Sequence, residues 1–261
     1  MRDGVSELSF PESGMTVLRC ETGEVVDLAA ADIAEEIIRS NPEGKAGPVL
    51  GLATGSTPEG MYAELVRRHR DEGLSFANVA TFNLDEYLGL YPGHDQSYRY
   101  FMVHQLFMHV DVKYENTFVP SGLDWNMEKH VQDYEDLILA KGGIDLQVLG
   151  IGSNGHIGFN EPGSTVHSRT RVVELAESSR RDNSRFFDND ISKVPTHAIS
   201  MGVATVLDTK KVILMAKGEG KAEAIAKSVK RPATPDVPAS LLQDHPDCTV
   251  IIDPGAASLL E

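Results

Sequence analysis

Cysteine is nearly absent from this chain. The two present, Cys20 and Cys248, lie far apart and outside any CxxC or Cys/His spacing, which excludes a disulfide framework and a cysteine-based zinc site and leaves buried free thiols. Basic charge is also scarce. The 24 Lys and Arg stand against 39 Asp and Glu, a formal charge of −15, which argues against nonspecific nucleic-acid binding and against anchoring on an anionic membrane surface. No apolar run approaches the ~20 residues that a membrane helix needs. The opening residues Met1 to Glu7 lack the basic segment and apolar core of a signal peptide, so a cytoplasmic protein is expected. Low-complexity tracts, internal repeats and Pro- or Gly-rich linkers are missing as well, and the simplest description is one domain over residues 1–261.

What is present is ordinary globular material: 261 residues, 41% apolar and 24% charged, enough to bury a large core. Apolar runs bounded by turn residues recur at Val49 to Ala53, Val79 to Leu84, Ile144 to Leu149, Val212 to Ala216 and Thr249 to Ile252. Helical spacing falls between them. Asp27 to Ile38 forms an amphipathic stretch. Met61, Tyr62, Leu65 and Val66 mark a second, Tyr134, Leu137 and Ile138 a third, and Ala222, Ile225, Ala226 and Val229 a fourth. Strands alternating with helices predict an α/β fold with a mostly parallel open sheet and helices on both faces, Rossmann-like in architecture.

Four stretches at strand-to-loop junctions carry candidate chemistry. Gly150 to Pro162 follows an apolar run and places His156 and Glu161 on a loop with four glycines, at the strand end where ligands of open α/β sheets bind. A tight turn with a satisfied loop histidine is the plainer alternative. Gly51 to Pro58 joins a strand to a helix. Thr57 suits a helix cap and Pro58 a first helical position, so free amides and hydroxyls of Thr54, Gly55, Ser56 and Thr57 face one spot, as a phosphate cradle requires. It is neither a Walker loop nor a GxGxxG fingerprint, and an ordinary turn would read the same way. In Thr81 to Tyr87 two adjacent carboxylates, Asp85 and Glu86, end a strand. They point to opposite faces, so one can enter a crevice while the other caps or pairs elsewhere. A solvated acidic turn is the alternative there. Lys217 to Lys221 puts Lys221 in the first turn of a helix, where the macrodipole disfavours a cation by ~0.3–1 kcal/mol unless an anion joins it. Together the four supply an anion cradle, a basic partner, a carboxylate base and a histidine. The polar, arginine-rich segment 168–192 reads as a cover over the crevice or as a solvated helix and loop.

These stretches, together with Ser168 to Arg171 and Asn183 to Phe187, resemble the glucosamine-6-phosphate deaminase family from about Asp27 onward. The resemblance implies conversion of glucosamine 6-phosphate and water to fructose 6-phosphate and ammonia, without metal or organic cofactor, and it leaves homo-oligomerisation open. It assigns ring opening to His156, a residue type that titrates near neutrality, and proton transfer between carbons 2 and 1 to Asp85. It gives Asn154 and Glu161 the support of the histidine, and it places the substrate phosphate among Thr54 to Thr57, Arg185 and Lys221. Arg185 lies in the segment that resembles the family's lid.

Two departures have consequences. Some members have aspartate at the position of Asn154, and the amide removes a charge beside His156, which lowers the expected pKa of the imidazole relative to an Asp version. The branch activated by N-acetylglucosamine 6-phosphate has lysine and threonine where this chain has Val173 and Glu174, although Arg171 is kept. A carboxylate there repels a phosphate effector, and the chain ends at Glu261 without that branch's longer tail, so a short non-allosteric form is expected. A 6-phosphogluconolactonase-like hydrolase and a non-catalytic sugar-phosphate-binding regulator are the competing readings, and a 4-epimeric amino-sugar phosphate stays open as substrate.

Overall fold

The computed structural model describes residues 2–40 and 46–260; Met1 and Glu261, which enter the readings of the chain ends, lie outside the described residues. Eleven strands run in chain order as β1 (Val5–Leu8), β2 (Thr16–Cys20), β3 (Val49–Leu52), β4 (Ala80–Asn83), β5 (Asp85–Tyr87), β6 (Thr117–Phe118), β7 (Leu146–Gly150), β8 (Arg171–Glu174), β9 (His197–Ser200), β10 (Val212–Ala216) and β11 (Cys248–Ile252). Eight of them form one sheet in the order β1-β2-β11-β10-β7-β3-β4-β6, parallel throughout except for the edge pair of β1 with β2. The helices are α1 (Gly23–Arg39), α2 (Glu59–Glu72), α3 (Tyr98–Gln105), α4 (Met127–Ala140), α5 (Glu177–Asn183), α6 (Val203–Leu207), α7 (Ala222–Lys230) and α8 (Pro254–Ala257).

Side-chain alternation along the central strands explains why helices cover both faces. In β10, Val212, Leu214 and Ala216 pack with Tyr134 and Ile138 of α4 and Ile225 and Val229 of α7, while Ile213 and Met215 pack with Ala30 and Ala34 of α1 and Met61 and Leu65 of α2. The apolar runs were therefore buried on both sides, as their continuous hydrophobicity required. The amphipathic stretch at Asp27 starts earlier, at Gly23, because the Thr22 hydroxyl accepts from Val25 N at 3.2 Å and caps the helix. Leu137 and Ala226, expected in the core, are only partly buried.

Thr57 and Pro58 do not play the expected capping roles. α2 begins at Glu59, Pro58 is its N-cap with helical backbone angles, and no side chain caps the helix. The Thr57 hydroxyl is thereby left for other use.

The chain reverses direction across the sheet between β3 and β7: β4 and β6 lie to one side of β3, and β7, β10 and β11 to the other. A crevice opens outside the carboxyl ends of strands at such a point. At Leu84 the chain leaves the main sheet; its N–H still donates to Leu52 O at 3.1 Å, while its carbonyl accepts from Met201 N at 2.7 Å. Asp85 then starts β5 in a second, antiparallel sheet, β5-β9-β8, with Asp85 opposite Ser200. Segment 168–192 supplies β8, α5 and 3-10 turns at Ser184–Phe186 and Ile191–Lys193, more ordered structure than its polar composition suggested.

Candidate active site

A cavity of about 380 Å³ occupies the crevice, bounded by the loops that follow β3, β7 and β10 and by β5 and α5. Thr54 to Thr57, Asp85, His156, Arg185 and Lys221 all line it. Asn154 and Glu161 stand behind His156.

The loop after β7 is built to present the imidazole. Gly152 N donates to His156 O at 2.9 Å and Gly155 N to Gly152 O at 3.0 Å, and Gly155 has φ +87°, a conformation that costs glycine little. The ring lies so close over Gly152 that a Cβ there would come within 2.2 Å of His156 Cε1. His156 Nδ1 is 2.7 Å from Asn154 Oδ1, and Asn154 Nδ2 donates to Glu161 Oε2 at 2.8 Å. An ionised carboxylate only accepts, so the amide must turn its NH2 toward Glu161 and its oxygen toward the imidazole. Nδ1 therefore carries the proton in the neutral ring, and Nε2 is the nitrogen left to act on a ligand. Glu161 Oε2 lies 3.6 Å from Nδ1, and Ser179 donates its hydroxyl to Glu161 Oε1. Burial alone would raise the Glu161 carboxyl, but contacts with His156, Ser179 and Asn154 outweigh it and hold the group at about 2. The two residues that the resemblance gave as supports of the histidine are thus arranged in series, the neutral Asn154 against the ring and the charged Glu161 behind it.

Asp85 presents the opposite case. Its side chain is buried among Tyr87, Tyr98 and Phe159 and makes no hydrogen bond or ion pair with another described residue. Burial first, and the Glu86 carboxylate second, push it up to about 8. Glu86 faces away and is saturated: it accepts from Ser97 Oγ at 2.7 Å and from the backbone N–H groups of Tyr87, Tyr98 and Arg99 at 2.9, 3.0 and 3.1 Å. It thus anchors the start of α3, and the division of roles between the adjacent carboxylates is the one their opposite faces permit.

At the other end of the cavity, Gly55 has φ +89°, and no described residue bonds the hydroxyls of Thr54, Ser56 or Thr57. Three cations approach that end: Arg185, whose guanidinium lies 4.6 Å over the Phe186 ring, Lys221 at the junction of a 3-10 turn with α7, and Lys217. Lys217 was not singled out from the sequence. Its Nζ meets both Asp27 carboxylate oxygens, at 2.7 and 2.9 Å, and only its place at the carboxyl end of β10 could have drawn attention to it. The aromatic wall was equally unforeseen: Tyr98 stacks on Phe159 at 6.0 Å and Phe187 meets Tyr87 edge-on at 5.8 Å. Arg171 lies outside this cavity, donating to Asn160 Oδ1 at 2.9 Å.

An end lined by hydroxyls and cationic side chains, a carboxyl group raised toward neutrality and a histidine with one free nitrogen therefore share a cavity of small-metabolite size. Comparison with known proteins gives the same indication. The pattern of the family described as glucosamine-6-phosphate isomerases/6-phosphogluconolactonase matches residues 21–251. A glucosamine-6-phosphate deaminase of Thermoanaerobacter pseudethanolicus is 49% identical over 227 residues, covering 87% of this chain and 89% of its own. The solved structure of a monomeric glucosamine-6-phosphate deaminase aligns with TM-score 0.89 and 46% identity over 93% of this chain and 99% of that one. A 6-phosphogluconolactonase of Trypanosoma brucei, TM-score 0.76 at 20% identity, over 97% of this chain and all of its own (100%), shares the fold.

Proposed function

The chain belongs to the glucosamine-6-phosphate isomerase/6-phosphogluconolactonase family, and we propose that it is a glucosamine-6-phosphate deaminase, releasing fructose 6-phosphate and ammonia in amino-sugar breakdown. The observation that carries this reading is Asp85, a buried and unpaired carboxyl group in the same cavity as the free nitrogen of His156.

The phosphate is bound by the Thr54 to Thr57 loop, Arg185 and Lys221, which counter the repulsion of an acidic protein locally. His156 Nε2 takes the proton of the anomeric hydroxyl and returns one to the ring oxygen, opening the pyranose; Asn154 and Glu161 position the ring and stabilise its charged form. Asp85 then removes the proton at carbon 2 of the aldehyde, leaving an enolamine, and delivers a proton to carbon 1. The resulting ketimine adds water and expels ammonia, which balances the reaction. A carboxyl that ionises near 8 in the free protein becomes a base more readily beside the substrate's ammonium, so substrate binding itself activates Asp85. No step calls for a metal or organic cofactor.

No described helix is long and apolar enough to cross a membrane; together with the expected chemistry this supports a cytoplasmic enzyme. Segment 168–192 serves as the lid, since it brings Ser179, Asn183 and Arg185 to the cavity. Control by N-acetylglucosamine 6-phosphate is absent in this reading: Arg171 donates to Asn160, and Glu174 is exposed at the other end of β8. Rate curves that stay hyperbolic with and without that compound are the expected result.

The deciding experiment follows ammonia and fructose 6-phosphate from glucosamine 6-phosphate with chelator-treated protein, Asp85→Asn alongside. Stoichiometric release that collapses in the variant supports the reading. Hydrolysis of 6-phosphogluconolactone without ammonia release would select the lactonase, which has no use for a base at carbon 2, and substrate binding without turnover would select a sugar-phosphate-binding regulator.

A further inference from the structure

We infer that Ser179 is a positioning residue through which helix α5 holds Glu161 in place behind His156; the inference rests on the deaminase reading for its kinetic consequence and on geometry alone for its placement. Ser179 is buried, lines the cavity and donates its hydroxyl to Glu161 Oε1. The other carboxylate oxygen takes the Asn154 amide at 2.8 Å and stands 3.6 Å from His156 Nδ1. One oxygen thus faces the histidine and the other is fixed from a different element. Without Ser179 the carboxylate keeps only the Asn154 bond and can rotate about its side chain away from the ring.

The same helix and the 3-10 turn that continues it are tied to the rest of the site. Asn183 donates to Tyr87 Oη at 2.9 Å, Phe187 packs on Tyr87 edge-on, and Arg185 between them lines the phosphate end. A phosphate that engages Arg185 therefore steadies α5, and with it Ser179. Occupancy at one end of the cavity is linked in this way to the orientation of the acid/base group at the other, through one hydroxyl. The cavity is also lined by Asp85, Tyr87, Tyr98, Arg185, Lys217 and Lys221, and the Ser179 hydroxyl is directed to Glu161.

The test combines Ser179→Ala, Ser179→Thr, Glu161→Gln and the Ser179→Ala/Glu161→Gln pair, with ammonia release as one readout and the NMR ring resonances of the His156 imidazole at fixed pH as the other. Ser179→Ala is expected to lower kcat about tenfold with KM within about twofold, the scale of one hydrogen bond to a charged group. Ser179→Thr retains wild-type values, and Ser179→Ala costs nothing further once Glu161 is Gln. The His156 ring resonances shift in Ser179→Ala and return in Ser179→Thr. A loss carried by KM, an equal loss in the Glu161→Gln background, or unmoved resonances would overturn the inference. If wild-type protein released no ammonia while the resonances responded as described, the deaminase reading would fall and the positioning role would stand.

Discussion

Replacing Asp85 by asparagine is expected to stabilise the protein while removing its activity, and the size of the gain follows from the burial of the carboxyl group. An aspartate that ordinarily ionises at 3.8 does so here at about 8. The unfolded chain loses the proton first, so between those values the native state binds more protons and stability falls by about 1.4 kcal/mol per pH unit. The sign is that of a raised folded-state pKa: the penalty is absent below pH 4, reaches on the order of 4 kcal/mol at pH 7 and levels off above pH 8. Asparagine has the same shape and no charge to ionise, but its amide still costs about 1–2 kcal/mol to bury without a full set of partners. The net gain is about 3–4 kcal/mol at pH 8 and becomes a loss of about 1 kcal/mol at pH 4, which for a chain of this size raises Tm by roughly 10 °C at the higher pH. Urea denaturation of both proteins at pH 4, 6 and 8 measures it directly, while ammonia release from the same preparations is expected to drop about 10²–10⁴-fold. A variant whose stability tracks the wild type at every pH would refute the reasoning, because Asp85 would then be ionised and solvated in the cavity.

His156→Gln is expected to lose about 10²–10⁴-fold in kcat while KM and inhibition by inorganic phosphate change little; a rise in KM alone would assign His156 to binding. Lys221→Ala should chiefly raise KM, and an unchanged KM would remove Lys221 from the phosphate site. Gly152→Ala introduces a Cβ within 2.2 Å of the imidazole, so the ring must move and kcat should fall about tenfold or more with circular dichroism unchanged, on the scale at which a displacement of about 1 Å costs 10²-fold. Wild-type turnover in that variant would mean that His156 need not lie where it does.

Central strands were legible in the sequence because burial on both faces makes them continuously apolar: Val212 to Ala216 could be bounded to the residue. The second sheet was not. β8 and β9 are four residues each and β5 is three; β8 alternates between half-buried and exposed, β5 opens on two carboxylates and β9 mixes His, Ala, Ile and Ser, so no run of one character announces them. That sheet carries Asp85, which could be found only as a member of a motif. Within the site, residues at strand ends were legible from glycines and charge, whereas Ser179, Lys217 and the aromatic wall were not, since a serine, a lysine or a tyrosine in a loop has many uses and only tertiary contact selects one. Thr57 failed as a predicted cap for a related reason: helix propensity allowed the start at Pro58, but the chain delays α2 by one residue.

The pair Asp85 and Glu86 shows why local pattern alone cannot assign such roles. Both carboxylates are buried, at 6% and 2% exposure, and both are raised by that burial. Glu86 offsets the cost with hydrogen bonds at the start of α3, from Ser97 and from backbone N–H groups, each of the charge-assisted kind worth about 1.5–3 kcal/mol. Asp85 has no comparable partner. The first group stabilises the fold and the second destabilises it, yet they depend on one another. By fastening β5 to α3, Glu86 gives the backbone a rigidity that a carboxyl group without hydrogen bonds cannot provide for itself, and its negative charge adds to the burial that keeps Asp85 protonated until a cationic substrate arrives. A base of ordinary acidity in this place would be too weak to take a proton from carbon, and an Asp85 held by its own hydrogen bonds would be weaker still, because each donor favours the ionised form. The isolation of Asp85 is therefore a requirement of its chemistry, and the saturation of Glu86 is what lets the fold tolerate it.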